Sequence, residues 1–206
     1  MVVRGRNDIS ARAFTLLEVL TAIAIVGVLV AVTAGGISGF MASGKTAKCT
    51  SNLRQLGVAT QVYCSDNAGA LPMTGVASFN NPPWYQPLVP YVDAQMKAGS
   101  QLAIAGTAIR LFQCPAYHAP PARDVTYAPN ILSANVRLNQ IVNPAQKIWL
   151  ITSTDSYSVN GSGLQRINFP HTKKANVLYF DGHTEFLNRD TLQASASFAF
   201  NPAAAQ

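Results

Sequence analysis

The residues best suited to metal binding or proton transfer lie near the C-terminal end of the chain: His171, Asp181 and His183. His171 is followed by nine residues and then by Asp181-Gly182. Asp-Gly between two apolar runs predicts a type I′ hairpin turn, and a six-residue strand spans about 20 Å. His171 would reach that turn only if residues 172–174 folded back along the strand. We therefore expect Asp181 to shape the turn and His171 to pin a loop, in preference to a metal site.

The three cysteines, Cys49, Cys64 and Cys114, are a second candidate set. Cys49 and Cys64 fall on one face of a predicted helix, roughly 22 Å apart along its axis. A disulfide needs Cα atoms within about 7 Å, so these two cannot pair within one chain. Cys114 can bond to either of them in an oxidising compartment. Because the cysteines lack the close spacing of zinc ligands, we predict neither a metal nor a cofactor.

The sequence lacks the motifs of phosphate-binding proteins, serine hydrolases and glycosidases. The chain has no phosphate-cradling glycine loop, no Gly-x-Ser-x-Gly elbow and no evident pair of acids for glycosidic cleavage. Trp84 and Tyr85 could stack on a sugar, although an aromatic patch that closes a small core is the better interpretation. Charged residues make up 12% of the chain, and no basic cluster is interleaved with aromatic residues. We predict no enzymatic activity and no nucleic-acid partner.

The most apolar stretch of the 206-residue chain runs from Phe14 to Ile37 and contains one charge, Glu18. About 20 apolar residues cross a bilayer core of roughly 30 Å, so this stretch is long enough to span a membrane. Three arginines precede it, which places the N-terminus in the cytoplasm and the remainder outside. A carboxylate at the centre of a spanning helix costs on the order of 2.5–3.5 kcal/mol, less near an edge, and indicates that Glu18 has a partner.

The helical pattern continues over residues 45–67 but becomes amphipathic. A stripe of uncharged residues falls on one face, and Asp66-Asn67-Ala68-Gly69 ends the helix. We therefore expect one long helix over 14–67 whose outer half packs on a globular domain. The stripe comprises Cys49, Leu53, Leu56, Thr60, Tyr63 and Cys64.

Strands are expected in residues 68–190. The run 147–152 is rich in β-branched and aromatic residues, and 102–112 is a further candidate strand. Residues 175–180 and 183–187 flank the Asp-Gly turn as a hairpin. The tail, 191–206, is low in charge, and we expect it to be flexible.

The hexapeptide Ala13-Phe14-Thr15-Leu16-Leu17-Glu18 resembles the processing site of type IV prepilins and type II secretion pseudopilins. The resemblance implies that a prepilin peptidase cuts before Phe14 and N-methylates it, and that Glu18 guides assembly. The family normally has glycine before the cut, where this chain has Ala13. An ion pair between Glu18 and the new α-amino group of a neighbouring subunit would fix the register of packed helices.

The C-terminal half carries a second resemblance. His171, Asp181 and Gly182 form an H-x9-D-G element similar to the one that accompanies prepilin-type N-termini in planctomycete- and verrucomicrobia-type bacteria. The segments 49–57 and 112–115 are similar to segments of proteins in the same family. Because these segments contain Cys49 and Cys114, the resemblance favours those two cysteines as the disulfide pair.

The resemblance implies an α+β, type IV pilin-like fold, with a long N-terminal transmembrane helix on a small antiparallel sheet. Its parts are a leader (1–13), the helix (14–67, transmembrane about 14–37), an extracytoplasmic domain (68–190) and the tail. It also implies a structural pilin or pseudopilin that lies in the inner membrane and then in a periplasmic or extracellular filament. The expected partners are copies of itself or related pilins, the prepilin peptidase and membrane lipid.

A competing interpretation is a signal-anchored or secreted enzyme or carbohydrate-binding domain. His171, Asp181 and Trp84 would then be the working residues. Val32-Thr33-Ala34 resembles a secretory cleavage site, which would give a mature start at Gly35. The position of the mature N-terminus discriminates between these interpretations.

Overall fold

The computed structural model describes residues 15–34, 37–72, 84–92, 110–117, 125–134, 136–154, 159 and 164–202. The chain divides into two compact units, Met1–Met41 and Ala42–Gln206, and each is described by itself. Helix α1, Leu16–Ala34, belongs to the first unit, and most of α2, Ile37–Asp66, belongs to the second. Among the described residues, no helix combines the length and the apolar character needed to cross a bilayer. The structure thus does not confirm the membrane span predicted over 14–37.

One antiparallel sheet of four strands forms the centre of the second unit. The strands are β1 (Tyr127–Pro129), β2 (Ile148–Thr152), β3 (Lys174–Tyr179) and β4 (Thr184–Asn188), in the order β1-β2-β3-β4. The strands expected at 147–152, 175–180 and 183–187 are therefore present, displaced by one residue at their ends. Helices together with this sheet confirm the α+β class. A short helix, α3 (Val89–Val92), lies before the sheet in sequence.

The amphipathic part of α2 covers one face of the sheet. Cys49, Leu53 and Leu56 are fully buried, and Thr60 and Cys64 are nearly so. They share a core cluster with residues of β2 and β3, whereas the charged residues of the opposite helix face are exposed. Burying a leucine side chain contributes about 1.5–3 kcal/mol, so this stripe holds α2 on the sheet.

A C-terminal helix covers the other face of the sheet. The prediction of a flexible tail over 191–206 is therefore wrong for the residues of this helix. Helix α4, Arg189–Ala199, begins where Asn188 Oδ1 accepts the Thr191 N–H at 2.7 Å, which is an N-cap. Leu192 and Phe200 are fully buried in a cluster with alternate residues of β3 and with Ile148 and Ile151 of β2. Successive strand residues point to opposite faces, so α2 and α4 sandwich the sheet. Residues 203–206 lie outside the described part.

The strand predicted over 102–112 is wrong where the structure describes it. Residues 102–109 lie outside the described part, and Arg110 and Leu111 are helical. Asn52 of α2 donates its amide to the carbonyl oxygens of Arg110 and Gln113, both at 2.9 Å. These two bonds need the carbonyl groups of a closed turn, because an extended segment would place them too far apart to share one side-chain amide.

The β3–β4 hairpin is present, but its turn is not the predicted type I′. That turn needs positive φ at both central residues, and of Phe180, Asp181 and Gly182 only the glycine has it, at 95°. The Gly182 N–H donates to the Tyr179 carbonyl at 3.0 Å, and the Tyr179 N–H donates to the His183 carbonyl at 3.0 Å. The loop therefore has three residues, a turn followed by a left-handed glycine.

A two-residue turn with both φ values positive occurs instead just before β3. Thr172 and Lys173 have φ of 52° and 63°. His171 and Lys174 exchange backbone hydrogen bonds across them, at 3.2 and 3.0 Å. This is the pattern of a type I′ turn, in which a β-branched residue such as Thr172 is unusual. The turn fixes His171 at the entrance to β3.

Candidate functional site

The expected processing site lies at the edge of the described structure. Ala13 and Phe14 are outside the described residues, and Glu18 is exposed in the first turn of α1. Thr15 Oγ1 accepts the Glu18 N–H at 3.2 Å and lies 3.5 Å from a Glu18 carboxylate oxygen. Thr-x-x-Glu is the sequence of a capping box, and an acid in the first turn gains about 0.3–1 kcal/mol from the helix dipole. Glu18 thus supports the start of α1 while its carboxylate stays accessible.

The surface of α1 is apolar on every side and exposed within its unit. A helix that is hydrophobic all round needs a lipid or protein surface to cover it. Exposed apolar area of this extent marks an interaction surface. The large side chains concerned are Leu16, Leu17, Val19, Leu20, Ile23, Ile25, Val26, Val28, Leu29, Val30 and Val32, each at least 52% exposed.

A compact group of metal-binding side chains lies within the second unit. Cys49 of α2, Cys114 and His171 are all buried, and their ligand atoms lie within 4.8 Å of one another. Cys114 Sγ is 3.2 Å from His171 Nε2. All three cysteines of the chain are free thiols. The structure brings Cys49 and Cys114 to one place, and the disulfide between them stays a prediction.

The two thiols of this cluster differ in their tendency to ionise. The hydrogen bond with Cys49, and after it the one with His171, outweigh burial and lower the pKa of Cys114 to about 5. Burial, and then the hydrogen bond and charge of Cys114, raise the pKa of Cys49 well above its ordinary value. Of the two thiols, Cys114 is therefore the one that ionises more readily.

The hairpin residues Asp181 and His183 form a separate, partly exposed group. Asp181 Oδ1 accepts the His183 N–H at 3.1 Å and lies 2.6 Å from His183 Nδ1. The His183 ring stacks on Tyr179, with the ring centroids 4.2 Å apart. Among the described residues, the group of side chains close enough to share a metal contains His171 but neither Asp181 nor His183. The H-x9-D-G residues thus do not meet in one site.

The aromatic pair considered for sugar stacking belongs to the core. Trp84 is fully buried and makes edge contacts with Tyr85, Phe112 and Trp149, with ring centroids 5.9–6.3 Å apart. Edge-to-face packing of this kind stabilises a core, and a sugar cannot reach the face of a fully buried indole. Trp84 is therefore unsuited to the role that the carbohydrate-binding interpretation gave it.

Sequence reasoning paired Cys49 with Cys114, as a disulfide, but missed His171 as their neighbour, because these residues are far apart in the chain. Metal sites are recognised in sequence by short spacings between ligands, and none is present here. One signal was available: each of the three residues lies in a segment that resembles proteins of the same family. That coincidence would have suggested that they meet.

Comparison with family models finds a match at the N-terminal end of the chain. The model of the prokaryotic N-terminal methylation motif matches residues 10–34, which include Ala13, Phe14 and Glu18. Comparison with curated proteins and with solved structures finds no match. The matched residues carry a motif that indicates processing of the type IV pilin or pseudopilin kind, and this supports a type IV pilin-like prepilin.

Proposed function

We propose that this chain is a structural subunit, a pilin or pseudopilin, of a type IV pilus or a type II secretion pseudopilus. A prepilin peptidase cuts it between Ala13 and Phe14 and methylates the new N-terminus. The observation that carries the proposal is the methylation motif over residues 10–34, whose residues from Leu16 onward form helix α1, with an apolar surface on all sides.

The surface of α1 supports assembly into a filament. Before assembly, lipid of the inner membrane covers the apolar side chains of residues 16–32. In the filament, the same side chains of neighbouring subunits cover one another. Van der Waals packing replaces lipid contacts in this exchange, so it costs little free energy. The three arginines before residue 13 keep the leader in the cytoplasm, where the peptidase acts, and the second unit lies outside.

Glu18 supports a defined register between subunits. Its carboxylate is exposed in the first turn of α1 and lies four residues after Phe14. Cleavage before Phe14 creates an α-amino group at the same end of the helix. An ion pair between this group on one subunit and Glu18 on its neighbour satisfies a carboxylate that would otherwise lie unpaired among apolar helices. The alignment of the two groups then sets the axial offset between neighbours.

The mature N-terminus tests the proposal. Mass spectrometry of the chain isolated from its native membranes should find a first residue of N-methylated Phe14. A first residue of Gly35 would instead indicate a secreted protein, and an intact Met1 a plain signal anchor; either result contradicts the proposal. Electron microscopy with an antibody to the second unit should then place the mature chain in filaments.

A further inference from the structure

The buried imidazole of His171 has one defined tautomer. Thr46 Oγ1 donates its proton to the Ala42 carbonyl oxygen at 3.0 Å, and the same oxygen lies 3.1 Å from His171 Nδ1. Because the single hydroxyl proton of Thr46 is already used, Thr46 accepts a hydrogen bond from Nδ1–H. In the neutral imidazole, His171 Nε2 therefore carries a lone pair, and this lone pair faces Cys114 Sγ at 3.2 Å.

We propose that Cys49 Sγ, Cys114 Sγ and His171 Nε2 together bind one thiophilic d10 cation, Zn2+. Bonds of about 2.3 Å to sulfur and 2.0–2.1 Å to nitrogen place tetrahedral ligand atoms about 3.5–3.8 Å apart. The three ligand atoms lie within 4.8 Å of one another, so small side-chain movements complete the coordination. A fourth, exogenous ligand such as water fills the remaining position.

The surroundings of the cluster suit a cation that converts both thiols to thiolates. Two thiolates neutralise Zn2+, so no net charge is buried when the ion binds. The Tyr127 hydroxyl donates to the Cys49 carbonyl oxygen at 3.4 Å and lies 3.2 Å from Cys49 Sγ, so its proton can turn to that sulfur once it is a thiolate. Thr46 supplies the outer hydrogen bond that orients a ligating histidine.

A disulfide between the same two cysteines is the competing use of the site. A disulfide has no hydrogen to donate, so it would leave the lone pair of the buried His171 Nε2 facing two sulfur atoms that cannot satisfy it. A cation satisfies this lone pair and both sulfurs at once. The bound ion links α2, the Cys114 segment and the turn before β3, and so cross-links the second unit without oxidation.

The test uses the full-length chain in detergent, reduced and metal-free. Titration with Co2+ should give thiolate-to-cobalt charge-transfer absorption that saturates at one equivalent and is displaced by Zn2+. Cys114→Ser and His171→Ala should weaken binding more than 100-fold, and Thr46→Val should weaken it about 10–100-fold, as expected for an outer hydrogen-bond partner. Cys64→Ser is the matched control: it removes another buried thiol of α2 and should leave the affinity unchanged.

X-ray absorption at the zinc edge gives a second readout that needs no variant. It should show two sulfur ligands at about 2.3 Å and nitrogen or oxygen ligands at about 2.0–2.1 Å. This measurement decides the question if Cys114→Ser fails to fold. The proposal is overturned if the reduced chain gives no charge-transfer band, if bound zinc has fewer than two sulfur ligands, or if Cys64→Ser weakens binding as much as Cys114→Ser. Metal-free chain isolated with a Cys49–Cys114 disulfide would overturn it as well.

Discussion

Thr60 of α2 accepts the indole N–H of Trp149 of β2 at 3.1 Å and gives its own proton to the Leu56 carbonyl at 2.8 Å. Both side chains are buried. The hydroxyl group therefore has a defined direction, with its oxygen turned to the sheet and its hydrogen to the helix backbone. This bond allows a tryptophan to lie fully inside the core, because a buried indole N–H needs an acceptor.

Replacing Thr60 with valine should destabilise the second unit by about 1–3 kcal/mol, since the shape is retained and the indole N–H of Trp149 loses its acceptor. The thermal midpoint should fall by about 2–4 °C for each kcal/mol in a domain of this size. Val58→Thr is the matched control, because it makes the reverse exchange at a residue of α2 that is 62% exposed. It should change stability by less than about 0.5 kcal/mol. Equal effects of the two variants would show that the Thr60–Trp149 bond contributes nothing specific.

Gly57 lets α2 approach the sheet closely. A Cβ atom at this position would lie 3.2 Å from Leu178 Cδ1, and Leu178 is fully buried. Gly57→Leu should therefore destabilise the second unit by about 1–3 kcal/mol through overpacking. The same change at Gly44, which has open space around it on the same helix, should stabilise by about 0.5–1 kcal/mol through helix propensity. Urea denaturation of both variants measures the opposite signs, and a gain in stability at Gly57 would contradict the close approach.

The Glu18 carboxylate should matter for assembly and not for processing. Glu18→Ala and Glu18→Gln should both yield chains that begin at methylated Phe14, because the peptidase acts at the preceding bond. Both should reduce filament yield strongly, since neither can pair with a neighbouring α-amino group. Glu18→Gln is the informative variant: glutamine retains the size of the side chain and the capping-box pattern with Thr15, so only the charge is lost. Wild-type filament yield in Glu18→Gln would contradict the ion pair.

Local sequence patterns predicted those elements that are formed by residues close together in the chain, namely the helix α2 and the β3–β4 hairpin. The stripe from Cys49 to Cys64 follows the helical period, and the Asp-Gly turn joins two short apolar runs. The turn type was wrong because the Phe180 N–H donates to the Lys147 carbonyl at 3.0 Å. Through this bond the first loop residue, Phe180, continues the pairing of β3 with the residue before β2. The turn preferences of an isolated hairpin do not take such a third strand into account.

Two features that the sequence did not predict, helix α4 and the Cys49–Cys114–His171 cluster, depend on tertiary contacts that composition does not reveal. The low charge after Asp190 indicated a flexible tail, yet Leu192 and Phe200 recur with helical spacing and fill the face of the sheet opposite α2. The Cys49–Cys114–His171 cluster needs α2, a loop and the turn before β3 to converge, and no short spacing encodes that convergence. The folded chain was needed to show the packing of α4 and to add His171 to the two cysteines that the sequence had paired.

The residue before the cut should control processing through its size. Ala13 stands where the related prepilins normally have glycine, so Ala13→Gly should be processed at least as fast as the natural chain. Ala13→Arg should block cleavage, because a bulky charged side chain beside the scissile bond cannot enter a site shaped for a small residue. The leader already carries arginines at positions 4, 6 and 12, so one more charge does not change its orientation in the membrane. Mass spectrometry of the membrane fraction gives the ratio of precursor to mature chain. Mature chain from Ala13→Arg in wild-type amounts would mean that cleavage occurs at another bond, and the pilin-type assignment of Phe14 as the first residue would then fail.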